Sequence, residues 1–97
     1  MNKQALHSAL FTIWSLVLGS TQTPLTGQQE RKLDDAITMV ENEWDKNDPM
    51  IQKARFVCEC ARRHLAAITA LPQRKSNGWR TLLEDCEALQ RDLGSSN

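Results

Sequence analysis

The stretch from Thr26 to Trp44, TGQQERKLDDAITMVENEW, opens on a Thr hydroxyl able to accept from the backbone N–H of Gln29, whose own side chain can reach back. That reciprocal arrangement is the capping-box signature of a helix start. Behind it, Leu33, Ala36, Ile37, Val40 and Trp44 fall at i, i+3, i+4, i+7 and i+11. Such spacing lines one face of an α-helix and leaves the opposite face to charged and polar residues.

Working outward, the same punctuation repeats. Upstream, a helical segment from Lys3 to Leu18 meets Gly19 and the polar linker Ser20-Thr21-Gln22-Thr23-Pro24. Downstream, Asp48-Pro49 reads as an N-cap followed by Pro at the first helical position. The segment after it turns Ile51, Ala54, Cys58, Ala61, Leu65 and Ile68 inward and ends near Leu71-Pro72. Residues 73–78 form a turn-rich loop. A last segment presents Trp79, Leu82, Leu83, Cys86, Leu89 or Gln90, and Leu93, then stops at Gly94, a favoured residue just past a helix end. Nothing alternates with period two for long enough to make a strand. The reading is all-α: a compact four-helix bundle-like single domain over residues 1–97, with helices at about 3–18, 27–46, 49–71 and 77–93 and a flexible tail at 94–97. The short link between the second and third helices predicts antiparallel neighbours.

Composition bounds the class of protein. The chain has 97 residues, 40% hydrophobic and 25% charged, with 12 Lys+Arg against 12 Asp+Glu. That is globular composition, and zero net charge argues against a generic polyanion coat. Cys58, Cys60 and Cys86 are odd in number and lack framework spacing, so reduced thiols in a cytoplasm are the expectation. The apolar run from Ala9 to Leu18 is too short for a bilayer, which takes roughly 20 residues. No small-x-small cleavage site follows it, so it reads as a helix of the mature fold, with no membrane role.

That first helix is apolar over an arc of roughly 220° at 100° per residue, about twice the stripe a surface helix needs. One reading makes it the central helix, surrounded by the other three, with the small wedge Ser8, Thr12, Ser15 and Gly19 allowing close approach. The other places Phe11, Trp14 and Leu18 on a self-association or partner surface, making a homodimer an expectation to test.

The neutrality is also sorted along the chain. Residues 1–26 carry +1, residues 27–48 carry −4, residues 49–80 carry +6 and residues 81–97 carry −3. Much of this supports antiparallel helix pairing and i, i+4 pairs such as Glu59–Arg63. What remains is a basic patch of Arg62, Arg63, Arg74, Lys75 and Arg80 near the third helix's end and the following loop. Phe56 lies with Cys60 and Arg63 on a flank that need not face the core, and an aromatic framed by arginines is characteristic of binding hot spots. A helix-turn-helix does not fit, because the connection is long, contains Pro72, and the fourth helix offers Glu84, Asp85 and Glu87 where phosphates would lie.

Catalytic constellations are scarce. Cys58 and Cys60 point roughly 200° apart on a helix and cannot share a metal. Cys60, His64 and Cys86 could in principle meet around zinc, yet no paired CxxC or HxxxH supports this, and the expectation is no metal and no cofactor. A Cys60–His64 nucleophile lacks a pocket and oxyanion donors. His7 reads as a partly buried, tautomer-fixed histidine. Asp34 with Asp35, or Glu41 with Asp45, are pairs that any acidic helix face produces, and no phosphate loop, GxSxG or Walker sequence is present. The expectation is a non-enzymatic protein-interaction module, a small bacterial or phage-type accessory or inhibitor protein that binds and modulates a larger host protein in the cytoplasm. The competing expectation is a small helical nucleic-acid-binding protein using the basic patch around residues 62–80.

Overall fold

A computed structural model describes residues 1–70 and 78–95. Its helices are α1 (Lys3–Ser20), α2 (Gly27–Glu43), α3 (Ile51–Ala70) and α4 (Trp79–Ser95), with no strand among the described residues. The expected four-helix, all-α architecture is therefore present.

Each helix end has a local cause. Asn2 caps α1, its side-chain oxygen accepting from the Ala5 N–H at 3.0 Å. Gly19 does not stop this helix. Two hydroxyls carry it further: Ser20 Oγ donates to the Val17 carbonyl at 2.6 Å, and Thr21 Oγ1 donates to that of Leu18 at 2.7 Å. At α2 the capping box forms as read, with Thr26 Oγ1 accepting from Gln29 N at 3.2 Å and Gln29 Oε1 accepting from Thr26 N at 2.9 Å.

The link from α2 to α3 departs from the expectation. α2 ends at Glu43, three residues early, because Trp44 turns extended (φ −69°, ψ 130°) and a pair of Asx turns follows. Asp45 Oδ1 accepts from Asn47 N at 2.9 Å, and Asp48 Oδ1 accepts from Met50 N at 2.8 Å. These side chains compete with the helix for backbone N–H groups, which is why Asp favours turns. Asp48 and Pro49 thus build a turn before α3 rather than its first residues. At the far end, the expected stop at Gly94 is revised, since Gly94 and Ser95 belong to α4; residues 96–97 of the expected tail lie outside the described ones.

The helices close a ring. α1 and α3 each pack against both α2 and α4, and α1 meets α3 across one diagonal. Sequence neighbours run antiparallel: Arg62 meets Asp34 and Glu41 while Thr69 meets Glu30, and Lys53 meets Asp85 at 3.6 Å while Cys60 lies beside Trp79 and Leu82. The start of α1 lies beside Leu93 and Gly94 at the end of α4. This is the up-down-up-down order that short connections favour. α1 touches all three other helices, as a central helix would, but it keeps an open outer side at one corner of the ring instead of being enclosed. Its stripe of Leu6, Leu10, Ile13 and Val17 is fully buried, while Phe11 remains 54% exposed. His7 is also exposed rather than partly buried, one turn before Phe11 on the open side of the helix.

The remaining core comes from Leu33, Ile37, Val40 and Trp44 of the second segment, Ala54, Val57, Cys58 and Ala61 of α3, and Leu82, Cys86, Leu89 and Leu93 of α4. Leu65 and Ile51, expected inward, are half-buried; Val57 and His64 take the interior positions on α3. His64 Nε2 lies 2.7 Å from Ser20 Oγ. The Ser20 hydroxyl also lies 2.6 Å from the Val17 carbonyl, so its oxygen bridges the last turn of α1 and the imidazole. This contact ties the end of α1 to α3 across the diagonal.

Burial lowers the His64 pKa from its ordinary 6.5, because the imidazolium would sit in a poorly solvated place. The unfolded chain then takes up a proton near pH 6.5 while the folded chain stays neutral, so stability present above about pH 6.5 is lost as pH falls. Thermal melts between about pH 7.5 and pH 5 should show the wild-type midpoint falling with acid, and His64→Leu should flatten that slope. An identical slope in both proteins would contradict this role.

Candidate interaction surface

The basic residues of the third segment separate into distinct environments. Arg62 sits between α3 and α2. Its Nε and Nη2 reach Glu41 Oε2 and Oε1 at 3.1 and 2.7 Å, Nη1 reaches Asp34 Oδ1 at 2.8 Å, and Nη2 also reaches Thr38 Oγ1 at 3.1 Å. A guanidinium forked onto a carboxylate in this way is geometrically specific. Arg62 holds the Glu41 carboxyl below its ordinary 4.5, and the two carboxylates raise the Arg62 pKa further still. Arg62 therefore clamps its own chain. Its sequence reading as a docking residue has a competing structural role.

Arg63 points outward, its side chain 72% exposed, with Nη2 3.1 Å from Glu59 one turn before it. Arg80 lies over the Trp79 ring, its guanidinium carbon 5.2 Å from the centroid, a cation–π arrangement. Between α3 and α4 a groove is lined by Phe56, Cys60, Arg63, Gly78, Trp79, Thr81 and Leu82. Gly78 takes a positive φ of 83° at the entry to α4, a backbone conformation that glycine adopts without a Cβ penalty. Phe56 is 48% exposed at the groove's edge. The fold thus brings Phe56, Arg63 and Arg80 to one seam, and adds Trp79, which the periodicity had given to the core and which is half-buried. Arg74 and Lys75 lie outside the described residues.

The second sequence-predicted cluster lies on α1. Phe11 and Trp14 stack with ring centroids 6.1 Å apart at an interplanar angle of 22°. Trp14 and Leu18 are half-buried, and Trp14 packs on the core edge, so Phe11 is the aromatic that projects.

The groups that could do chemistry face different ways. Cys60 borders the α3–α4 groove, His64 turns to Ser20, and Cys86 is in the core. Burial pushes the thiols of Cys58 and Cys86 up to about 12, and desolvation also raises that of Cys60, so all three resist forming the nucleophilic thiolate. Ser20 lies beside a histidine, but both side chains are buried and Ser20 Oγ is also 2.6 Å from the Val17 carbonyl. Asp34 and Glu41 converge on Arg62, while Asp35 borders the α1–α2 groove, so Asp34 and Asp35 are turned to different neighbours. No group of three His, Cys, Asp or Glu side chains among the described residues is placed to hold a metal ion, and no described helix is long and apolar enough to cross a membrane.

No family model matches this chain, and no curated protein or solved structure shows significant similarity to it.

Because Arg62 is forked between two carboxylates, Arg62→Met should leave Asp34 and Glu41 facing each other uncompensated. The ions are partly exposed, so the expected loss is modest, about 1 kcal/mol, visible as a lower denaturant midpoint that high salt reduces in wild type. Unchanged stability would mean that the clamp does not hold α2 to α3.

Proposed function

We propose that this chain is a non-enzymatic interaction module, a small bacterial or phage-type accessory or inhibitor protein working in the cytoplasm, which docks on a larger host protein and modulates it. The observation that carries the reading is Phe56, a large aromatic 48% exposed at the rim of a groove that also holds Arg63 and Trp79, with Arg80 stacked alongside. An aromatic anchor with arginine neighbours is the composition in which binding energy concentrates. A surface of this sign selects a partner with carboxylates around an apolar recess.

Nucleic acid is the competing ligand for the same cations. Two of the arginines in the basic patch are already paired with carboxylates of this chain, Arg62 with Asp34 and Glu41 and Arg63 with Glu59, which reduces the charge open to phosphates. That favours the protein partner.

The test is affinity capture from a bacterial lysate with wild type and the variant Phe56→Asp/Arg63→Glu, followed by identification of retained proteins. Wild type should retain a partner in stoichiometric amount, in a salt-sensitive manner, and the variant should lose it while keeping its helical circular dichroism. Equal retention by both proteins, or a mobility shift of DNA or RNA with no protein retained, would overturn the proposal.

A further inference from the structure

We infer that the flank of α3 beside α2 docks a helix of the protein partner, one whose contact face carries carboxylates at i and i+8 and a cation at i+4. This rests on the reading that α3 meets another protein, and it names the element of that partner. Arg55, Glu59, Arg63 and Ala66 of α3 line a groove whose other wall includes Glu41 and Asn42 of α2. Arg55, Glu59 and Arg63 are four residues apart, so they stand one above another on a single ridge of the helix. The ridge reads cation, carboxylate, cation over about 12 Å, at about 1.5 Å per residue. Its charges are open to a partner. Arg63 and Glu59 are paired at 3.1 Å, yet their side chains stay 72% and 64% exposed. Arg55 is exposed and has no ion-pair partner among the described residues. Asp34 and Glu41 face Arg62, so the ridge sets the charge pattern that a visitor meets.

That pattern selects the occupant. A polyanion presents negative charge at every step, and Glu59 at the centre of the ridge repels it. A second copy brought across a two-fold axis through Glu59 sets that carboxylate against itself. Nowhere in this chain do an acidic, a basic and an acidic residue follow at four-residue spacing, so no other part of a copy supplies the complement. An extended segment would bring unpaired backbone N–H and C=O groups to a helix whose own are already used. A helix satisfies its own backbone and sets side chains about 6 Å apart along one face, the spacing of the ridge. Opposite charges then fix its register, and like charges exclude other sequences. From Arg55 to Ala66 the groove follows α3 for about 16 Å, three turns, long enough for the series. The groove holding Phe56 lies between α3 and α4, with Arg63 bordering both, so the remainder of the same partner can reach it.

The test is selection from a displayed library in which one exposed helix of a stable three-helix scaffold is randomised along a single face, with the folded chain as bait. Clones enriched on wild type should carry Asp or Glu at i and i+8 and Lys or Arg at i+4. The inverted bait, Arg55→Glu/Glu59→Arg/Arg63→Glu, keeps the i, i+4 attraction within α3 and should enrich the opposite series. Arg55→Glu alone leaves the lining of the α3–α4 groove unchanged and should weaken the wild-type clones about tenfold, the scale of one close charge pair. All three positions are exposed, and helical circular dichroism checks that each bait is folded. Clones without the series, the same clones on both baits, or no enrichment at all overturns the inference. If one of these results accompanies a lysate partner that Phe56→Asp loses, the docking of a protein on α3 stands and the helix-borne charge series alone is overturned.

Discussion

The fold depends on one seam: Leu6, Leu10, Ile13 and Val17, fully buried where α1 meets its neighbours. Their spacing of four, three and four residues is that of a helix packed at a shallow angle against near-parallel partners. Each such side chain contributes roughly 1.5–3 kcal/mol on leaving water, an upper figure for a chain already compact when unfolded. The seam also decides what is left outside. An 18-residue helix apolar over far more than one stripe has several ways to dock, and choosing this one turns Phe11 to solvent. With α1 at one corner of the ring, its outer face follows from the core rather than being added to it.

Polar contacts then fix the register that the apolar core would tolerate in several forms. Arg62 forks across α2–α3, and the Ser20–His64 bond crosses the ring's diagonal near the ends of α1 and α3. Both are specific because their partners have no cheap alternative: a forked guanidinium has a planar requirement, and a buried imidazole needs a neutral tautomer with its N–H placed. They have a consequence for the surface. Arg62 in the clamp is shared between its own chain's carboxylates and the surface, its side chain still 40% exposed.

The four helices were legible in the sequence because caps and periodicity agree at Thr26–Trp44 and beyond. Their ends were less so. Glycine at position 19 and the Asp48-Pro49 pair have more than one local use, and which is realised depends on side-chain hydroxyls and carboxylates that periodicity does not weigh. His64 was missed as a core residue since a polar side chain breaks an apolar pattern, and its hydrogen-bond partner, Ser20, is 44 residues away in the chain. The i, i+4 pairing of Arg63 was visible, but the Arg62 clamp requires knowing how α2 lies on α3. Phe56 and Phe11 were singled out by their flanking positions, and the structure places both with their rings partly open to solvent.

The proposed function rests on one surface, the seam between α3 and α4 where Phe56, Arg63, Trp79 and Arg80 come together. The account's central claim is that this seam meets another protein. Site-specific photo-crosslinking in bacterial cells, with a photoreactive residue in place of Phe56 and a control at Arg31 on the exposed side of α2, addresses it most directly. The account predicts a discrete protein adduct from position 56 and none from position 31. No adduct at 56, the same adducts at both positions, or an adduct to nucleic acid would contradict it.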